Sequence, residues 1–213
     1  MIHETMPLLH AGLGLNEANK ALVLLHGRGA TAESILPLAS ELGADDFAVL
    51  APQAADHVWY PQRFIAPREQ NEPYLSSALV MLNGLFKQLD AAGIPAARVV
   101  LAGFSQGACL ASEFVAQNPT RYGGLLVFSG GLIGTGPTVL AELYQGSLEQ
   151  TPVFMGCSDV DAHIPLVRVK ESSEILRLLG AEVDERIYPG MGHTINQDEL
   201  EVAKMLLDQL RKD

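Results

Sequence analysis

Positive charge is scarce in this chain. Its 14 Lys and Arg face 25 Asp and Glu, a formal net charge of −11. Nucleic-acid binding requires clustered cations to neutralise phosphates, so a nucleic-acid partner is excluded, and anionic membrane surfaces are disfavoured for the same reason. Cysteine is scarcer still, with only Cys109 and Cys157. That is too few for a disulfide framework and lacks paired zinc spacing, so both are read as buried free thiols in a reducing cytoplasm. His3, His10, His57 and His163 stand at no metal-ligand spacing with carboxylates or cysteines, and no metal is expected. No apolar run approaches the ~18 residues of a membrane span. The opening Met1-Ile2-His3-Glu4-Thr5 begins neither a basic n-region nor an apolar h-region. A cytoplasmic protein without stable membrane insertion is therefore expected.

With 48% hydrophobic and 18% charged residues, the 213-residue chain reads as one domain, 1–213, around one core. Short apolar runs alternate with segments of helical period, the signature of βαβ units and a mostly parallel sheet flanked by helices, an α/β fold. Strands are expected at 21–26, 47–51, 98–104, 124–128 and 152–156, with an edge-like strand around Val183, Glu185 and Ile187. Helices are expected at 31–42, from Pro73 to Gly93, at 105–118, at 164–179, and from Asn196, where Glu199 completes a capping box. The stretch Gly130–Gly136 lacks the lysine of a P-loop and the spacing of a dinucleotide fingerprint, so no cofactor is implied. It is read as a flexible loop lining one side of a cleft.

The run Val99 to Ala108 reads Val-Val-Leu-Ala-Gly-Phe-Ser-Gln-Gly-Ala. A serine on a sharp strand-to-helix turn needs small neighbours two residues away on each side, and Gly103 and Gly107 fill those positions around Ser105. In an open α/β sheet, reactive groups gather beyond the carboxyl ends of strands. Asp159 and Asp161 follow one such strand, and Pro189-Gly190-Met191-Gly192-His193 follows another. Ser105, Asp161 and His193 thus stand in the serine, acid, histidine order of this architecture, with Asp159 the alternative acid. An oxyanion hole needs two backbone N–H groups. Gln106 offers one, and the loop His26-Gly27-Arg28-Gly29-Ala30 offers the other at Arg28. His26 itself is read as structural. The long unpatterned segment 52–72 and the glycine-rich stretch bring Trp59, Tyr60, Phe64 and Leu132 forward as candidate walls for an acyl or alkyl chain.

These residues resemble the phospholipase/carboxylesterase family of α/β-hydrolases, which includes acyl-protein thioesterases. The blocks are Leu25-His26-Gly27, Ala51-Pro52 with Trp59, Gly103-Phe104-Ser105-Gln106-Gly107 and Gly190-Met191-Gly192-His193. The resemblance implies an α/β-hydrolase fold with a minimal cap and a cofactor-free hydrolysis of esters through an acyl-enzyme on Ser105. The Ile164-Pro165 step matches the one that follows the family's acid, which places the acid on Asp161. Arg28 stands where the thioesterase branch usually carries an apolar residue. The expected activity is that of a serine carboxylesterase acting on a small-molecule ester of small or medium acyl chain. A thioesterase or lysophospholipase is the nearest alternative, and a non-catalytic small-molecule binding protein is the alternative of another class. Association as a homodimer is left open.

Overall fold

The computed structural model describes residues 2–136 and 142–212. Its seven-stranded sheet has the order β1-β3-β2-β4-β5-β6-β7. The strands are β1 (Leu8–Gly12), β2 (Ala21–Leu25), β3 (Ala48–Pro52), β4 (Val99–Phe104), β5 (Gly124–Phe128), β6 (Pro152–Ser158) and β7 (Glu182–Tyr188). Only β1 runs antiparallel, against β3, while β2 to β7 pair in parallel. This is the expected α/β-hydrolase arrangement.

Unbroken apolar strands follow from burial on both faces. Along β2, Ala21, Val23 and Leu25 face one core and Leu22 and Leu24 the other. The first core is completed by helices α3 (Tyr74–Ala91), α4 (Gln106–Gln117) and α5 (Leu166–Leu178), the second by α1 (Ala32–Ile35), α2 (Pro37–Glu41) and α6 (Gln197–Lys212). Helix α4 is buried from Gln106 to Ala116. Its one charged residue, Glu113, is paired with Arg68 and also accepts from the Tyr144 hydroxyl at 2.7 Å and the Ile133 amide at 3.0 Å. A buried carboxylate requires such partners.

The expected helix over 31–42 is two pieces. Thr31 caps the first as its Oγ1 accepts from Ser34 N, but Pro37 has no N–H to continue the ladder and its ring crowds the preceding turn. Strand β1, with its half-buried residues, was not foreseen. Strand β7 lies at the sheet edge as its alternating pattern requires. The capping box of α6 is present, with Asn196 Oδ1 accepting from Glu199 N at 3.0 Å and Glu199 Oε2 accepting from Asn196 N at 2.8 Å. The crossover from β3 to α3, whose residues 60–64 reach the cleft described below, carries two single-turn 3₁₀ helices in place of a helical cap. Among the described residues no helix is long and apolar enough to cross a membrane.

Strand order reverses between β2 and β4. The chain steps outward from β2 to β3, then returns past β2 to β4 and continues the other way. Such a switch point leaves a crevice at the strands' carboxyl ends, here between the loop after Leu25 and the turn after Phe104.

Candidate active site

At that crevice Ser105 occupies a turn with φ 55° and ψ −117°. A non-glycine residue holds such a backbone only when its surroundings enforce it. A Cβ at Gly103 would lie 2.4 Å from the Gly107 carbonyl carbon, and one at Gly107 would lie 2.1 Å from Leu25 O. The two glycines let β4, α4 and β2 close tightly enough to set the turn. Backbone bonds from Ser105 N to Phe128 O and from Cys109 N to Ser105 O fix its two ends.

The three loops converge. His193 Nε2 lies 2.9 Å from Ser105 Oγ, and His193 Nδ1 lies 2.7 Å from Asp161 Oδ2. The other Asp161 oxygen accepts from the amides of His163 at 2.8 Å and Ile164 at 3.0 Å. Burial works to raise the Asp161 carboxyl, but the bonds from His193 and from those two amides outweigh it and hold the group below its ordinary value. An ionised Asp161 accepts a hydrogen bond from Nδ1–H, which leaves Nε2 as the acceptor facing the serine hydroxyl. The Phe104 and His163 rings flank the imidazole, each 4.8 Å from it centre to centre. A hydroxyl so placed can lose its proton to the ring as its oxygen attacks a carbonyl.

Asp159 is exposed and does not reach the histidine. Its Oδ1 accepts from Gly190 N at 2.8 Å, while Ser158 Oγ accepts from Gly192 N at 3.0 Å. Both anchor the loop carrying His193, a role that sequence reasoning missed because a side chain bonding a distant amide leaves no local pattern.

Arg28 and Gln106 sit beside Ser105 in a cleft of about 460 Å³, and among the described residues no acceptor takes either backbone N–H. Their side chains do further work. Gln106 accepts from Trp59 N at 2.9 Å and donates to Tyr60 O at 2.7 Å. The Arg28 guanidinium donates to the carbonyls of Tyr60, Pro61 and Gln62 at 3.0, 2.9 and 2.6 Å. His26 is structural, as expected. Its Nδ1–H donates to Gly27 O and its Nε2 accepts from Ala54 N, and burial lowers its pKa and keeps it neutral.

Tyr60 and Phe64 line the cleft, with Cys109 and Ile164. Trp59 and Leu132 do not. The Trp59 indole is fully enclosed, packed on the His26 ring at 4.9 Å with its Nε1–H donated to His26 O. A large amphipathic ring with a carbonyl in reach gains more from the core than from the cleft wall. Leu132 is fully buried, its N–H donated to Ser172 Oγ and its carbonyl taken by Arg168. None of the residues from Gly130 to Gly136 lines the cleft, and the stretch is packed at its start, where Gly130 admits Ala108 and Gly131 admits Ser172 too closely for a side chain, while Thr135 is exposed. Burial pushes the thiols of Cys109 and Cys157 up to about 12, so neither is a thiolate at neutral pH.

The chain is similar to acyl-protein thioesterase 1 of Gibberella zeae, 35% identical over 131 residues, or 60% of this chain and 55% of that protein. It thus spans little more than half the length of the thioesterases it matches. A probable carboxylesterase of Oryza sativa subsp. japonica is 26% identical over 85% of this chain and 74% of its own. Among solved structures, a phospholipase/carboxylesterase from Dyadobacter fermentans superposes with a TM-score of 0.91 at 41% identity, covering 99% of both chains. The model of the phospholipase/carboxylesterase family matches residues 14–210, and the chain belongs to that family.

Proposed function

We propose that this chain is a serine carboxylesterase that hydrolyses esters of small or medium acyl chains through an acyl-enzyme on Ser105. The observation that carries this reading is the continuous relay from Ser105 Oγ to His193 at 2.9 Å and from His193 to Asp161 at 2.7 Å. The Ser105 oxygen attacks the ester carbonyl as His193 Nε2 takes its proton, and Asp161 stabilises the imidazolium. The oxyanion is held by the amides of Arg28 and Gln106. The imidazolium then gives its proton to the leaving alkoxide, and a water activated by the same nitrogen releases the acid. A cleft of about 460 Å³, floored by Tyr60, Phe64, Cys109 and Ile164, favours a modest acyl group.

The thioesterase relatives favour a second substrate, an acyl thioester, which the same groups would cleave with a thiolate leaving. A fluorophosphonate probe should label the native chain and leave Ser105→Ala unlabelled, and turnover of 4-nitrophenyl butyrate should fall by about 10⁴ or more in that variant. Absence of label on the folded native chain would favour a binding protein instead. Faster turnover of butyryl thioesters than of matched oxygen esters would select the thioesterase.

A further inference from the structure

The charge at the mouth of the cleft has the opposite sign to that of the whole molecule. Asp and Glu outnumber Lys and Arg by 25 to 14, yet among the described residues the formally charged groups that line the cleft are Arg28 and Arg63, with no aspartate or glutamate. Elsewhere, arginines 68, 168, 177, 186 and 211 each lie against a carboxylate. Among the described residues no carboxylate lies within ion-pair distance of Arg28 or Arg63. Arg98 and Arg121 share that lack, but they cap backbone carbonyls away from the cleft lining.

Neutral groups hold Arg28 in place, whereas Arg63 is exposed. The three carbonyls bound to Arg28 fix its guanidinium without cancelling its charge, and its Nε–H and one Nη1 hydrogen stay free. Arg63 reaches across to the carbonyl of His163, on the loop that carries Asp161, at 3.5 Å. A pre-positioned Arg28 and an exposed Arg63, both with spare donors and no internal counter-ion, form a receptor for a planar or tetrahedral anion.

We propose, resting on the serine esterase reading, that the substrate is an ester bearing a carboxylate or a phosphate, which Arg63 and Arg28 hold at the mouth while the ester carbonyl lies at Ser105. Both arginines and the serine line the same cleft, so one small molecule spans them. Neutral esters still react but lack this anchor. In a chain of net charge −11 the local cations also decide which substrates approach, because anions are otherwise repelled.

The test measures kcat/KM by acid release at low ionic strength on two matched pairs, monomethyl against dimethyl glutarate for carboxylate, and butyrylglycerol phosphate against butyrylglycerol for phosphate. At least one anionic ester should exceed its neutral partner by about tenfold or more, and 0.5 M NaCl should shrink that ratio as screening sets in. Arg63→Gln should cut the ratio by about tenfold and Arg63→Lys should restore most of it, with thermal melts confirming that both variants fold. Neutral esters turned over with no anionic preference would overturn this proposal and leave the esterase reading standing. A ratio that rises with salt, or an Arg63→Gln variant that lowers both members of a pair equally, would also overturn it. No turnover of any ester together with no fluorophosphonate label on Ser105 would overturn the esterase reading and this proposal with it.

Discussion

Ser105 is bounded by two glycines for a reason measurable in ångströms. A methyl group on residue 107 would lie 2.1 Å from the carbonyl oxygen of Leu25, deeper than any rotamer change could relieve. Gly107→Ala is therefore expected to destabilise the fold by about 2–4 kcal/mol, read as a lowered urea midpoint, whereas Ala at the open position Gly29 should act through its φ of +75° alone and cost about 1 kcal/mol. The two aspartates give a second contrast. Asp161→Asn should lower kcat by about 10³–10⁴ because the tautomer of His193 is no longer fixed. Asp159→Asn keeps an oxygen for Gly190 N and should stay within about threefold. An equal loss in both would refute the assignment of the acid. Ser105 and its glycines were legible in the sequence because steric overlap admits no substitute at those positions. Trp59 and Leu132 were not, because an apolar side chain in a loop reads the same whether it faces a cleft or the interior. Only the carbonyl of His26 and the hydroxyl of Ser172 decide which.

Helix α6 carries a polar strain at its first turn. Glu199 closes the capping box with one oxygen, while the other, against Gly156, is buried with no partner among the described residues. Burial pushes its carboxyl up to about 7 against the pull of the Asn196 amide. Since the folded chain holds this proton more tightly than the unfolded one, the stability from Glu199 is full below about 4.5 and is lost as pH rises towards 7. Glu199→Gln keeps the cap and removes the charge. Its melting temperature should vary less than the native chain's between pH 5 and 8, with a gain of about 1–3 kcal/mol at the alkaline end. An unchanged profile would show that Glu199 is not the titrating group. The capping box was readable because it is a local pattern of two residues. Strand β1 was not, since its pairing with β3 joins segments some forty residues apart and its half-exposed Leu8, Leu9 and Ala11 give no clear alternation.

At the scale of the molecule, stability should fall from the centre of the sheet to its edges. Strands β2, β4 and β5 are buried almost throughout, whereas β1 and β7 are not. Amide hydrogen exchange should be slowest in β2, β4 and β5 and fastest in β1 and β7, and equal rates across all seven strands would contradict this gradient. The parallel architecture was legible because burial on both faces writes itself as unbroken apolar runs. The strand order was not, since it depends on which side each crossover takes. Its switch point lies between β2 and β4, so Ser105 stands on the best-buried part of the sheet.

Gln106, next to that serine, bonds the backbone of Trp59 and Tyr60 with both ends of its side chain. The attacking group and one flank of the recess are thereby fastened to the same residue. Reshaping the Tyr60 side for bulkier acids would disturb the reacting atoms themselves, while a side-chain change at Ile164 touches no bond of Gln106 and keeps the backbone amide that Asp161 accepts from. Directed evolution towards longer chains should accumulate its tolerated substitutions there first.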